Sequence, residues 1–238
     1  MDFSQEEMVE AVERLVAGLL DRAGATAPPV DVLRIAEEHL GIPVTVAEAE
    51  DDERGRPRAS RRHTDGIVLS PHATEEERHT AAAKGIARAL LPDLLRKFGL
   101  EPGSEDKQAS AYLRGLIAAR LLVPTRLLRT ALKQTKYELP ALKQLFRTAS
   151  CEAIALRWLD LDAPCVLAIV DDGVVATRRG NAASVSKKLT AAEQACLDGV
   201  MENDAPDKRR LDGWTVQGWP IPGRPFRRVI LRAVPDEG

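Results

Sequence analysis

The chain is 238 residues long with a mass of 26.0 kDa, enough to bury a sizeable core as one large domain or as a main domain with a small appendage. Aromatic residues make up only 4%, so alanine, leucine and valine must fill most of the interior, which favours closely packed helices over a large sandwich. The N-terminus lacks the basic start and apolar run of a secretory signal, no stretch is apolar enough to cross a bilayer, and three cysteines suggest reduced thiols; these features lead us to expect a cytoplasmic protein.

The net charge of −2 hides an asymmetry. Residues 1–53 hold fourteen Asp/Glu and three Arg, a balance of −11, so the rest of the chain carries +9. Ser4-Gln5-Glu6-Glu7 forms a capping box, and Met8, Val12, Leu15, Val16 and Leu19 recur behind it at helical spacing, which predicts an amphipathic first helix ending near Ala23-Gly24. Pro28 and Pro29 break the chain. Asp31 then caps a second helix through Leu40, stopped by Gly41, and Ile42-Pro43-Val44-Thr45-Val46 reads as a strand. Residues 48–63 run from acids into Arg54, Arg56, Arg58, Arg61 and Arg62, a composition that cannot pack, and read as a loop. A short strand, Asp65-Gly66-Ile67-Val68-Leu69-Ser70, follows. Thr74-Glu75-Glu76-Glu77 is a second capping box, opening a helix that runs to about Phe98 across Pro92. After a turn at Gly99 to Gly103, Ser104 is the expected N-cap of a helix reaching Leu122, with Pro124 just beyond.

Two stretches of this order carry a recognisable frame. Arg78-His79-Thr80-Ala81-Ala82-Ala83-Lys84-Gly85-Ile86-Ala87-Arg88-Ala89-Leu90-Leu91, preceded by Gly66-Ile67-Val68-Leu69, resembles the core of the ImmA/IrrE family of bacterial metallopeptidases, roughly Arg-Phe-Thr-x-Ala-His-Glu-x-x-His-x-x-Leu-Leu after a Gly-Ile-x-Leu strand. Ile117-Ala118-Ala119-Arg120-Leu121-Leu122-Val123-Pro124 is similar to the end of the family's second motif. In register, the two zinc-binding histidines fall on Ala83 and Ala87, the general base on Lys84, and the third ligand on Ala111. A methyl group has no lone pair for zinc, and an ammonium cannot serve where the chemistry needs a carboxylate. The resemblance therefore implies a degenerate copy with no metal, no cofactor and no catalytic residue. It also implies that Ala83, Ala87 and Ala111 lie where two helices face each other. His39, His63, His72 and His79 give a register-free check, because no two are three or four residues apart, and Cys151, Cys165 and Cys196 make no local knuckle.

From Thr125 the chain turns basic. Within it, residues 139–159 resemble a helix-turn-helix of the kind family members carry after their metal helices, and Lys143, Arg147 and Arg157 are its candidate nucleic-acid contacts. Cys151, Ala153, Ile154, Ala155 and Leu156 make its second helix too apolar for base readout, so packing is the favoured role. Past Pro164 the pattern changes to strands: a hairpin from Cys165 to Thr177 about Asp171-Asp172-Gly173, a helix capped by Thr190-Ala191-Ala192-Glu193, and two strands within 213–220 and 226–234.

The expected fold is α+β and mainly helical: a zincin-like core with a small sheet, helix-turn-helix-like helices and a small α+β appendage. The expected divisions are 1–27, 28–124, 125–163 and 164–238. The resemblance implies an inactive protein acting by protein binding in bacterial regulation or stress response, its partner a helix-turn-helix regulator or a related active peptidase. The alternatives are an active zinc peptidase that cleaves such a repressor through ligands placed elsewhere, and a DNA-binding transcriptional regulator; no membrane partner is expected.

Overall fold

A computed structural model describes residues 4–47, 50–51, 57–58, 66–100 and 107–236. Most of the charged segment 48–63, with His63, and the expected cap Ser104 lie outside the described residues. The architecture is α+β with helices predominating, and Cα packing divides it into two compact units, Met1–Lys136 with Gln144–Ser150, and Tyr137–Lys143 with Cys151–Gly238.

In the first unit, α1 (Gln5–Arg22) starts at the Ser4 capping box. Val12, Val16, Leu19 and Leu20 of α1 are buried, and the helix packs on α4 (Lys107–Leu122). The segment after Asp31 is a short α-turn, α2 (Val32–Arg34), continued by a π-turn over Ile35–His39. Strands β1 (Val44–Val46) and β4 (Ile67–Leu69) pair in parallel, Val44 opposite Ile67. Between them, the stretch expected as loop contains a minimal antiparallel pair, β2 (Glu50–Asp51) with β3 (Pro57–Arg58).

The motif helix α3 (Glu75–Lys97) begins at the Thr74 capping box and runs through Pro92 to Gly99, whose φ of +68° ends it. It lies directly on β4. A Cβ on Gly85 would overlap the Ile67 side chain, so only glycine permits this approach. Helix α5 (Thr125–Thr135) follows α4 after Pro124 and buries Leu127, Leu128, Ala131 and Leu132.

The second unit is built on a five-stranded antiparallel sheet ordered β6-β5-β9-β8-β7. Its strands are β5 (Val166–Asp171), β6 (Val174–Gly180), β7 (Asp207–Leu211), β8 (Trp214–Ile221) and β9 (Arg228–Pro235). Helix α8 (Ala191–Asn203) covers one face, joining Ala192, Cys196, Leu197 and Val200 to Val166, Ala168, Val216 and Leu231 of the strands. Glu193 closes the cap of α8 and also receives Arg178 on both carboxylate oxygens at 3.0 and 3.1 Å, inside the protein. The remaining pieces are α6 (Leu139–Leu145), α7 (Cys151–Leu156) and a 3₁₀ turn over Arg157–Asp160. Among the described residues no helix is long and apolar enough to cross a membrane.

Candidate functional site: the motif helix and its surroundings

The register of α3 places Ala83 and Ala87 one turn apart on its inward stripe with Ala82, Ile86, Leu91, Leu94 and Leu95. Both alanines are 0% exposed. Lys84 projects from the opposite, exposed side. Ala83 and Ala87 are thus methyl groups within apolar packing, against a strand that Gly85 allows to come close.

Ala111 does not complete this arrangement. The family register sets it where two helices face each other, but its side chain is exposed. The buried side of α4 includes Ser110, Leu113, Ile117 and Leu121, with Ala118, Arg120 and Leu122 buried beside them. One residue is a rotation of about 100° on a helix, so positions 110 and 113 turn inward while 111 turns to solvent. The buried side chains of α4 are one hydroxyl, the Arg120 guanidinium and aliphatics, none of them an ordinary zinc ligand.

The three described histidines do not converge either. His39 and His72 are exposed, and His79 is buried. His79 sits on α3 one turn ahead of Ala83, and its Nδ1 accepts the Val32 backbone N–H at 3.3 Å, pinning the start of α2. Burial lowers the pKa of His79, with Arg147 adding to the shift and the Asp31 and Glu75 carboxylates opposing it. His79 is therefore a neutral structural acceptor. Among the described residues, no group of three or more His, Cys, Asp or Glu is placed to hold a metal ion. An open depression of about 390 Å³ lies beside α3, but its walls are Leu69, Ser70, His72, Ala73, Glu77 and Ala81, and neither Ala83 nor Ala87 lines it.

The three candidate nucleic-acid contacts are not a set. Arg157 is inside the protein at 1% exposure, in an ion pair with Asp160, so it cannot reach a phosphate; its place in a 3₁₀ turn behind α7 draws it inward. Lys143 is half-buried, and only Arg147 is exposed, lying 3.8 Å from Glu75. Helix α7 is six residues long and presents no exposed side chain, which leaves nothing to enter a major groove.

Instead, residues of the second unit at either end of this stretch pack on that unit's sheet. Glu138 accepts hydrogen bonds from Gln217 and Trp219, each at 3.1 Å, and Trp158 meets Trp219 with ring centroids 5.7 Å apart. The Arg232 guanidinium lies 4.1 Å from the Tyr137 ring centroid and donates to Gln217, its pKa lowered by burial. Sequence reasoning misses this cluster because its members lie up to about a hundred positions apart. The buried thiols offer no nucleophile: burial raises Cys165, and burial with Asp207 pushes Cys196 up to about 12.

Comparison with known proteins agrees with this frame. A chain from a solved structure, a Mycobacterium tuberculosis transcriptional regulator, superposes with a TM-score of 0.63 over 97% of this chain and 76% of its own, at 16% identity. A search of curated protein sequences returns no match. The family model described as the IrrE N-terminal-like domain, of the M78 peptidases, matches residues 37–159, just over half of the length and including β4, α3, α4 and the helix-turn-helix-like segment. By that match the chain belongs to the IrrE N-terminal-like family.

Proposed function

We propose that this chain is a member of the family without peptidase chemistry, acting by binding a protein partner in a bacterial regulatory or stress response. One observation supports the reading: Ala83 and Ala87, which the family resemblance sets at the two histidine positions, are fully buried methyl groups, and Lys84, which it sets at the position of the base, is exposed. Zinc needs lone pairs from at least three protein groups and an open position for water, and general base catalysis needs a group that accepts a proton near neutral pH. These side chains supply neither.

A fold that keeps its frame and loses its chemistry retains its surface as the means of action. The partner that suits the family is a helix-turn-helix regulator, bound without being cut, or an active relative whose access to that regulator the bound copy controls. The likeness to a protein described as a transcriptional regulator supports the regulatory setting.

The test is elemental analysis of protein purified without chelator, followed by incubation with the helix-turn-helix regulator encoded nearest to it. The expected results are substoichiometric zinc, an intact regulator and a complex on size-exclusion chromatography. One zinc per chain, or cleavage that EDTA stops, overturns the reading.

A further inference from the structure

We infer that the outer face of α5 is a docking surface for the phosphate backbone of duplex nucleic acid, separate from the helix-turn-helix-like segment. The helix buries one side, Leu127, Leu128, Ala131 and Leu132, and exposes the other, which carries Arg126, Arg129 and Lys133, with Lys136 immediately beyond its end. Their spacing of three and four residues sets them on one stripe. At a rise of 1.5 Å per residue, Arg126 to Lys133 covers about 10 Å, a length over which a duplex carries roughly six phosphate charges.

The helix contains no carboxylate, and its first turn has no acid. The first turns of α1, α3 and α8 carry Glu6 and Glu7, Glu75 to Glu77, and Glu193, as the helix dipole favours. Arg126 in the first turn of α5 works against that dipole, so helix stability does not account for the charge. Arg126 faces Asp21 at 3.4 Å, but both side chains are more than half exposed, and solvent screens the pair. Every charge that the helix itself contributes to this face is positive.

Its chemistry selects the occupant. A bilayer needs an apolar side to insert, and that side of α5 is already inside the protein. The centre of a protein interface is anchored by Trp, Tyr or Arg in well-packed, desolvated pockets, whereas the exposed stripe of Arg, Lys, Thr and Gln has no aromatic beside its cations. Single-stranded nucleic acid calls for aromatic platforms, which α5 lacks. A duplex backbone asks only for spaced cations.

The experiment is fluorescence anisotropy with a mixed-sequence 20-base-pair DNA at 50 and 200 mM salt. Four phosphate contacts predict a roughly 100-fold loss of affinity between the two concentrations. The variant Arg126→Gln/Arg129→Gln/Lys133→Gln should bind more weakly at 50 mM and lose only about 4-fold over the same range. These positions are exposed, so its circular dichroism should match the parent; if the triple variant does not fold, Lys133→Gln alone should lower the slope of log K against log salt by about one. No binding by the parent at 50 mM salt overturns the inference. So does a triple variant that keeps the parent's slope, or binding to phosphatidylserine vesicles without binding to the duplex.

Discussion

Restoring the motif is the sharpest probe of the packed helix. In Ala83→His/Ala87→His, two imidazoles enter positions that are fully buried, on a helix held against Ile67 with room only for glycine at position 85. Overpacking a filled interior costs about 1–3 kcal/mol at each site. Each imidazole also brings buried polar nitrogens, and a group left without a partner costs about 1–3 kcal/mol more. Even the lower bound, about 4 kcal/mol for the pair, is a large share of the roughly 5–15 kcal/mol that holds a domain together. For a unit of this size that corresponds to a fall in melting temperature of roughly 10–20 °C. The assay is thermal and urea unfolding followed by circular dichroism, with and without equimolar zinc, using Lys84→Glu as a surface control expected to shift stability by less than about 0.5 kcal/mol. Zinc should not raise the midpoint of the double variant. A double variant that melts within about 2 °C of the parent, or gains a stoichiometric zinc that restores its midpoint, would refute the claim that this region is closed by packing.

Two further outcomes follow from buried polar groups. His79 is folded as a neutral acceptor with its pKa below the ordinary 6.5, so the unfolded chain binds a proton more readily. Stability from this site is therefore complete above about pH 7 and declines as the pH falls through 6.5, by at most about 1.4 kcal/mol per pH unit, until the lowered folded pKa is reached. Urea titrations between pH 8 and pH 5 should show this decline in the parent and lose it in His79→Gln, whose amide oxygen can still accept from Val32; an unchanged decline in the variant would assign it elsewhere. In the second unit, Arg178→Met strands Glu193, whose side chain is 1% exposed, without its two-point partner. A loss of about 3–5 kcal/mol is expected in urea unfolding, with part of it recovered in Arg178→Met/Glu193→Gln. Equal stability of parent and single variant would show that the pair is not what holds the start of α8.

Much of the fold is legible in the sequence because its signals are local. Ser4 with Glu7, Thr74 with Glu77 and Thr190 with Glu193 each mark a helix start three residues deep, and α1, α3 and α8 begin at those caps. The hairpin about Asp171-Asp172-Gly173 is marked by its turn. Strand β7 is not: Asp207-Lys208-Arg209-Arg210-Leu211 is an exposed edge, held by backbone pairing to β8 with no apolar alternation to announce it.

What the sequence determined by itself is chemical identity at fixed local spacing. Alanine, lysine and alanine at 83, 84 and 87 fall on one helix whose register its own cap sets, so which residue types stand along that helix is written in the order of its residues. What only the tertiary structure decided is which side each residue faces. Ala111 turns to solvent while Ser110 and Leu113 turn inward, Arg157 disappears beside Asp160, and the basic charges of α5 remain outside. Facing is set by partners distant in sequence, because a side chain's surroundings in a packed protein come from elements that the chain brings together only on folding.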